Sequence, residues 1–317
     1  MAKTKPSTTS DGLQIVSKLE DDHVDHLEEL IRSATLVDGH EPIGEHKFLR
    51  LKHGDDLGVA ILAYESDELV GYAHTLCYGD SEVRRVSCEL VVEPDQRQRG
   101  IGSALLREVI DHATGQDARS LDVWAYNDTE GGRHLARSFS LSPQRRLLHM
   151  HRHPGEPPTL PVPPSASVRP LRGGEEEALL ALNNRIFEGH PENGSWTMED
   201  LAARQAQPWF GAKDVLMLDV DGVLAGFCWL KIEERGEEGR VGEIYVIGNA
   251  PEFRGRGLGR YLLSAGLQHL SRREVDTVAV YVEESNHAAV SLYHSFKFHH
   301  QHVDVLYSLK LGGGDRQ

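Results

Sequence analysis

A six-residue motif that occurs twice constrains the fold more than any other feature of the sequence. The motif, Arg-x-x-Gly-x-Gly, occupies residues 97–102 and again residues 254–259, an offset of 157 residues (254 − 97). In both places an apolar segment and a proline precede the motif and an apolar segment follows it. A repeat of this length, once in each half of a 317-residue chain, indicates two copies of one domain.

The predicted elements follow the same order in both halves. A helix comes first, then a hairpin of two strands, the glycine motif, a second helix, a strand and a last helix, which predicts an α/β fold with a mixed sheet flanked by helices. The predicted helices are 25–32, 103–112 and 132–139, then 175–185, 260–270 and 287–296; the predicted strands are 59–64, 69–73 and 120–125, then 215–219, 224–227 and 277–282.

A proline-dense stretch separates the two halves. Residues 152–167 contain prolines at a density that neither a helix nor a central strand tolerates, so this stretch is predicted to be a linker. The predicted domains are therefore residues 12–151 and residues 168–311.

Composition and charge exclude several classes of protein. A formal net charge of −15 argues against a general nucleic-acid coat or a basic membrane-surface protein. Three cysteines without a Cys-x-x-Cys pair suit a reducing compartment, and the polar N-terminus predicts no signal peptide. We expect a cytoplasmic monomer that binds neither nucleic acid nor membrane. The histidine clusters at 149–153 and 299–302 lack a convincing ligand set, so no metal site is predicted.

Each copy of the motif has the composition of an anion-binding turn. A helix that begins directly after glycines exposes backbone N–H groups and the positive end of its dipole, and Arg97 or Arg254 adds a cation. A dinucleotide fingerprint would run straight from strand into glycine, and a Walker loop would continue with Gly-Lys-Ser or Gly-Lys-Thr. Neither pattern occurs here, so the motif predicts a pyrophosphate cradle of another kind.

The motif and its setting resemble the acetyl-CoA signature of the GCN5-related N-acetyltransferase superfamily. The resemblance implies two tandem domains of that fold, with up to two acetyl-CoA molecules per chain. In that superfamily the strand before the motif splays from its parallel neighbour, and the pantetheine arm lies in the gap. The cofactor-binding residues implied are Leu90, Val91, Val92, Gln98, Arg99, Gly100, Ile101, Gly102 and Ser103, then Ile247, Gly248, Asn249, Arg254, Gly255, Arg256, Gly257, Leu258, Gly259, Arg260, Asn286, His287, Ala288, Ala289, Val290 and Ser291.

The two halves differ at the positions suited to proton transfer. Acetyl transfer to an amine needs a base for the ammonium and an acid for the departing thiolate. The resemblance implies Tyr293 as the acid, and Glu243 is the candidate base. We expect the C-terminal half to catalyse and the N-terminal half to bind acetyl-CoA or shape the substrate cleft; the alternative is ordinary divergence, with Tyr293 packing in the core and Glu243 solvated. Subtracting 157 pairs Tyr293 with Ala136, Glu243 with Val86, Tyr281 with Trp124 and Asn286 with Thr129.

A more specific resemblance covers nearly the whole chain. Segments 34–44, 190–196, 207–210, 227–231 and 242–246 resemble the mycothiol synthases, tandem actinobacterial acetyltransferases that acetylate the cysteinyl amine of cysteinyl-glucosaminyl-inositol. An α-amino group, with a pKa of about 7.7 to 8.0, suits a carboxylate base better than a lysine at about 10.4. The resemblance implies these contacts to the thiol pseudodisaccharide: Asp38, Glu192, Lys231, Glu243 and Tyr281.

Other interpretations stay open. The chain could acetylate another amine, such as an aminoglycoside or a protein N-terminus, or it could bind acetyl-CoA as a sensor without turnover. Individual residues have structural alternatives too: Asp38 could form an Asp-Gly turn, Glu192 could cap or solvate its loop, and Lys231 could be a surface charge at a strand end.

Overall fold

The chain forms two compact units. The computed structural model describes residues 7–8, 12–43, 58–79, 83–153, 155–190, 194–235 and 239–312. Among these, the residues up to Leu147 group with those from His302 onward, and the residues from Leu148 to Gln301 form the second unit.

Strands and helices are numbered along the chain. The strands are β1 Ser7–Thr8, β2 Gln14–Val16, β3 Gly58–Glu65, β4 Glu68–Tyr78, β5 Arg85–Val92, β6 Ser120–Ala125, β7 Ser142–Arg152, β8 Ala166–Pro170, β9 Val215–Val220, β10 Val223–Glu234, β11 Arg240–Asn249, β12 Thr277–Glu283 and β13 His299–Lys310. The helices are α1 Asp21–Asp38, α2 Ile101–Gly115, α3 Glu130–Ser138, α4 Glu176–Ile186, α5 Met198–Gln205, α6 Leu258–Arg272 and α7 His287–Ser295.

Each unit contains a mixed sheet that includes a parallel pair of strands. In the first unit the strand order is β1-β2-β3-β4-β5-β6-β13, and β5 and β6 are parallel. In the second unit the order is β7-β12-β11-β10-β9-β8, and β11 and β12 are parallel. The predicted α/β fold class is confirmed, and every predicted helix and strand overlaps an observed element of the same type.

Local chemistry explains the matching hairpins. Ser66 and Asp67 join β3 to β4 with φ of 48° and 71°, and Asp221 and Gly222 join β9 to β10 with φ of 51° and 78°. Two consecutive left-handed residues make the turn whose twist matches antiparallel strands. The helices that follow the glycine motifs pack their apolar faces on these sheets, burying Leu105, Leu106 and Val109 of α2 and Leu262, Leu263, Leu267 and Leu270 of α6.

The compact units depart from the predicted domain boundaries at the final strand of each half. Residues Val305–Lys310 of β13 pair antiparallel with β6, so the end of the chain completes the first unit. Residues 148–152 of β7 belong to the second unit, beside β12. Between β7 and β8, the described part of the predicted linker forms neither helix nor strand, and the Ser264 hydroxyl donates a hydrogen bond to the Pro158 carbonyl.

Candidate active site

The two glycine motifs fold into the same loop. Gln98 and Gly255 both adopt left-handed backbone, with φ of 62° and 75°, and Gly100 and Gly257 follow with φ of 89° and 75°. A β-carbon placed on Gly100 or Gly257 would have no heavy atom within 4 Å beyond the chain neighbours, so both glycines face open space. At both motifs the backbone is therefore open on the side where a side chain would project.

Both loops end at a helix N-terminus. The first hydrogen bond of the α2 ladder runs from Ala104 N–H to the Gly100 carbonyl, and that of α6 from Tyr261 N–H to the Gly257 carbonyl. The N–H groups of 101–103 and 258–260 thus precede the ladders, where a helix attracts anions.

Asn249 makes the two helix starts different. With its amide oriented so that both ends are satisfied, the Asn249 oxygen accepts from Gly259 N–H at 2.8 Å and its nitrogen donates to the Gly248 carbonyl at 3.3 Å. Asn249 is predicted to contact the cofactor. Its side chain accepts the hydrogen bond of one N–H group in the first turn of α6. The corresponding residue of the first unit is Val92, whose side chain is apolar.

The parallel strands separate next to each motif. Pairing of β5 with β6 reaches Cys88 and Val123, although β5 continues to Val92 and still pairs there with β4. Pairing of β11 with β12 reaches Ile244 and Val280, although β11 continues to residue 249. An extended ligand arm fits such a gap because strand-edge backbone can pair with it.

A cavity of about 480 Å³ lies at the gap of the first unit. Arg99 is not among its lining residues, and its guanidinium makes an ion pair with Glu65 at 3.0 Å. The other cofactor-binding residues predicted for this half all line the cavity: Leu90, Val91, Val92, Gln98, Gly100, Ile101, Gly102 and Ser103.

Asp38 also lines this cavity, at the end of α1. Both of its carboxylate oxygens accept hydrogen bonds from Arg97, at 2.7 Å each, and Arg97 Nε donates to the Val92 carbonyl at 3.1 Å. Arg97, which the sequence suggested as a cation for a phosphate, is thus hydrogen-bonded to Asp38 and to the backbone of β5. Its counterpart Arg254 donates to the Ile186 carbonyl at the end of α4, at 3.3 Å.

A β-bulge lies close to Glu243, the candidate base, in the β10–β11 ladder of the second unit. Trp229 lies opposite Val246 and Leu230 opposite Ile244, so Tyr245 is an extra residue in β11. Its phenol oxygen accepts a hydrogen bond from Arg204 Nε at 3.2 Å. An inserted residue bends a strand and re-aims its neighbours.

The bulge corrects one comparison drawn from the constant offset. Glu243 lies opposite Ala279 of β12, and Ser87 lies opposite Asp122 of β6, while Ala279 and Asp122 are themselves 157 residues apart (279 − 122). The structural counterpart of Glu243 is therefore Ser87 and not Val86, because the bulge adds one residue between Glu243 and the motif.

Glu243 is 9% exposed and lies opposite Lys231 in the β10–β11 ladder. Arg235 Nη2 approaches its carboxylate at 3.5 Å, and Lys231 Nζ makes an ion pair with Glu233 at 3.0 Å. Lys231 also lies over the Trp209 ring, 5.2 Å from its centre. The predicted Glu243 and Lys231 are therefore brought together, within a network of further charges.

Tyr281 lies on β12 and is 39% exposed. Its ring stacks on His149 with centres 4.2 Å apart and planes 8° apart. A face-on contact of this kind fixes the orientation of the tyrosine ring while leaving part of it accessible.

Tyr293 on α7 is almost fully buried, at 4% exposure, and its ring meets Phe298 edge-on at 5.5 Å. Burial, and secondarily the nearby Cys228, raises the pKa of the Tyr293 phenol. The hydroxyl therefore keeps its proton at neutral pH, which is the state an acid needs.

Asn286 begins α7 as its N-cap. Its side-chain oxygen accepts from Ala289 N–H at 3.2 Å, and Thr129 does the same for Gly132 N–H at 3.1 Å at the start of α3. This substitution between the halves preserves a capping role. The predicted residues His287, Ala288, Ala289, Val290 and Ser291 form the first turns of α7.

Three further predicted residues are Arg256, Arg260 and Glu192. Arg256 lies over the Phe253 ring at 5.2 Å, and Arg260 donates to Ser295 on α7 at 2.8 Å. Glu192 lies outside the described residues.

Two residues of the charge network, Glu233 and Arg235, were missed from sequence. Their signal is the alternation of charged residues at 231, 233 and 235 on a strand, which places them on one face.

The described ranges contain no group of three or more His, Cys, Asp or Glu side chains arranged to hold a metal ion. None of their helices is both long and apolar enough to cross a membrane.

Known structures share this architecture. A tandem GNAT protein from the clavulanic acid biosynthesis pathway matches with a TM-score of 0.71 and 18% identity, over 96% of this chain and 100% of that one. A GCN5-related N-acetyltransferase from Sphaerobacter thermophilus matches with a TM-score of 0.68 and 22% identity, over 96% and 97%. At these identities the likeness concerns the fold.

Sequence relatives are more specific. The model of the acetyltransferase (GNAT) family matches residues 24–139 and 177–298. A mycothiol acetyltransferase of Thermobispora bispora is 42% identical over 88% of this chain and 93% of the relative, and one of Kytococcus sedentarius is 40% identical over 88% and 91%. The resemblance inferred from the sequence is confirmed. The chain belongs to the acetyltransferase (GNAT) family and, within it, to the mycothiol acetyltransferases.

Proposed function

We propose that the chain transfers the acetyl group of acetyl-CoA to the cysteinyl amine of cysteinyl-glucosaminyl-inositol, forming mycothiol. The observation that carries this proposal is the asymmetry between the units. The second unit has Glu243 on β11 and Tyr293 on α7, and the first unit has Ser87 and Ala136 at the corresponding positions.

Acetyl-CoA supplies an acyl thioester that is already activated toward amines. Glu243 accepts a proton from the acceptor's ammonium. An α-ammonium group, with a pKa of about 7.7 to 8.0, is acidic enough for a carboxylate to deprotonate it. Tyr293, held protonated by burial, donates its proton to the departing thiolate. Both transfers use side chains that β11 and α7 hold in place.

The acceptor offers many hydroxyl groups and little apolar surface. Charged and phenolic side chains can hydrogen-bond to these hydroxyl groups, which an apolar pocket cannot do. The acceptor's ammonium favours carboxylates nearby. We assign Lys231, Tyr281, Asp38 and Glu192 to its recognition alongside Glu243. The Arg97 pair of Asp38 means that Asp38 would contact the acceptor as a pre-oriented carboxylate.

Each unit binds one acetyl-CoA in this proposal, and only the second unit turns it over. The open glycines and the strand gaps of both units support two sites. The predicted residues of each half supply the backbone groups and helix N-termini. We further propose a cytoplasmic monomer that does not act on nucleic acid.

Acetyl-CoA consumption against a panel of amines tests the proposal. The panel contains cysteinyl-glucosaminyl-inositol, free cysteine, glucosamine, an aminoglycoside and a peptide with a free N-terminus, and extraction of the denatured protein counts bound CoA. We expect the highest kcat/KM for the pseudodisaccharide and more than one CoA per chain. A higher kcat/KM for another amine contradicts the acceptor assignment, and thiol release with none of the amines contradicts catalysis.

A further inference from the structure

The β10–β11 hairpin gathers four charged side chains of alternating sign. Side chains two residues apart on a strand point the same way, so Lys231 and Glu233 share a face of β10, and Arg235 continues the pattern just after the strand ends. Glu243 lies opposite Lys231 on β11. Two cations and two carboxylates therefore meet on one face of the hairpin.

The ion pairs run in a chain that ends on the candidate base. Lys231 Nζ lies 3.0 Å from Glu233, and Arg235 Nη2 lies 3.2 Å from Glu233 and 3.5 Å from Glu243. The backbone N–H of Arg235 donates to the Gly239 carbonyl at 2.8 Å. Arg235 is thus fixed at its backbone by the hairpin and at its guanidinium by Glu233, facing Glu243.

Because these charged side chains are partly shielded from water, the interactions between them are strengthened. The side chains of Lys231 and Glu243 are 9% and 12% exposed, and those of Glu233 and Arg235 are 27% and 30% exposed. Burial alone favours a neutral carboxyl group, whereas an adjacent cation favours the carboxylate. At this site the two effects oppose each other, and Arg235 is one of the two cations next to Glu243.

Other elements also present titratable groups to Glu243. Lys231 faces it from β10, and Tyr245 is its neighbour along β11, near Arg204. From β12, Tyr281 interacts electrostatically with Arg235 and stacks on His149. Glu243, Tyr281 and Glu233 all act on Arg235, so the guanidinium lies near two of the predicted acceptor contacts, Glu243 and Tyr281.

We propose that Arg235 is a positioning residue for acetyl transfer, which keeps the Glu243 carboxylate ionised and oriented toward the acceptor amine while Glu233 anchors the guanidinium, a role that rests on the proposed function. Arg235 moves no proton. It biases Glu243 toward the base form and fixes the direction of its oxygens.

A pH series of kcat/KM between pH 6 and 9.5 tests this role, with wild type, Arg235→Gln, Arg235→Lys and Glu233→Gln. Without the guanidinium the acid limb of Arg235→Gln should move up by about one pH unit, so the loss of kcat/KM approaches about tenfold on the acid side of the wild-type limb and disappears on the alkaline side of the variant's limb. Arg235→Lys restores the charge and should recover most of the shift. Glu233→Gln releases the guanidinium but also removes a like charge, so its limb should not rise as far as that of Arg235→Gln.

Controls separate this role from a structural one. Arg32→Gln removes a surface ion pair of α1, with side chains 73% and 72% exposed, and should leave the profile unchanged. A loss in Arg235→Gln that is equal at every pH, or no loss, overturns the proposal. Should Arg235→Gln fail to fold, the Lys and Glu233→Gln profiles decide. Should wild type prefer another amine, the acceptor assignment fails, and the same series on that amine still judges Arg235.

Discussion

At the scale of single residues, burial sets which protonation state each functional group holds. Tyr293 is almost fully buried, and burial raises the pKa of its phenol, so the proton is retained. Lys231 and Glu243 are also largely buried, but they lie among charges. The second unit thus holds the proposed acid in its protonated form and the proposed base within a network of charges.

Replacing Tyr293 with phenylalanine should separate catalysis from packing. The ring and its edge contact with Phe298 remain, while the donated proton is lost, so we expect kcat to fall about 10²-fold or more. Isothermal titration with acetyl-CoA should show unchanged affinity. Full turnover with intact binding would remove Tyr293 from the mechanism.

Asp304 should make stability depend on pH. It is 2% exposed, and burial raises its pKa to about 6, against hydrogen bonding from Asn127 N–H and the charge of His40. A carboxyl group whose pKa is raised on folding stabilises at low pH, and that stability is lost as pH rises from about 4 through about 6. Asp304→Asn keeps an acceptor for Asn127 and should gain up to about 3 kcal/mol over wild type by pH 7.5.

Urea midpoints of both proteins at pH 4.5, 6 and 7.5 measure this effect. The advantage of Asp304→Asn should grow across the series. A constant difference between the two proteins would show that Asp304 does not titrate in this window.

At the scale of elements, the glycine loops were predictable because their chemistry is local. A glycine that must adopt positive φ before a helix leaves a signature in the sequence, and Gly100 and Gly257 take that conformation. The bulge at Tyr245 was not predictable from the offset, because a strand with one inserted residue has the same composition as a regular strand. The inserted residue changes the first-unit counterpart of Glu243 from Val86 to Ser87.

Matched alanine variants of the two glycines should distinguish the two sites. At φ of 89° or 75° an added methyl costs roughly 1 kcal/mol or more and projects into the open cradle. Gly257→Ala should weaken acetyl-CoA binding and turnover by about tenfold or more. Gly100→Ala should reduce the CoA recovered per chain and leave turnover near wild type.

Gly115→Ala is the matched control, because Gly115 ends α2 with nothing within 4 Å of an added methyl. It should bind CoA as wild type does. Equal loss of turnover in Gly100→Ala and Gly257→Ala would contradict a single catalytic unit.

At the scale of the whole molecule, the duplication was predictable and the grouping of strands was not. Hydrophobic periodicity indicates which segments form strands. It does not indicate beside which of the two parallel pairs β13 forms its backbone hydrogen bonds. The structure places Val305–Lys310 against β6, a partner about 180 residues earlier in the chain (305 − 125). No local signal encodes a choice between two similar sheets.

Ending the chain after Gln301 should loosen the first unit. The truncation removes the partner of β6, including Tyr307, whose hydroxyl donates to Asp128 at 2.7 Å. Hydrogen exchange should rise over Ser120–Ala125 and change little over Arg240–Asn249. Ending the chain after Leu311 keeps β13 and should show neither change; protection of Ser120–Ala125 that survives loss of β13 would contradict its contribution.

The pairing of β13 with β6 also orders events during translation. Ribosomes add about 5–20 residues per second, so β6 emerges on the order of 10–40 s before the strand that completes its edge. During that interval the nascent first unit carries an unpaired strand edge, which other strands can join. Slow synthesis between residues 125 and 305 would therefore favour aggregation, and a chaperone that shields strand edges would act on this chain early.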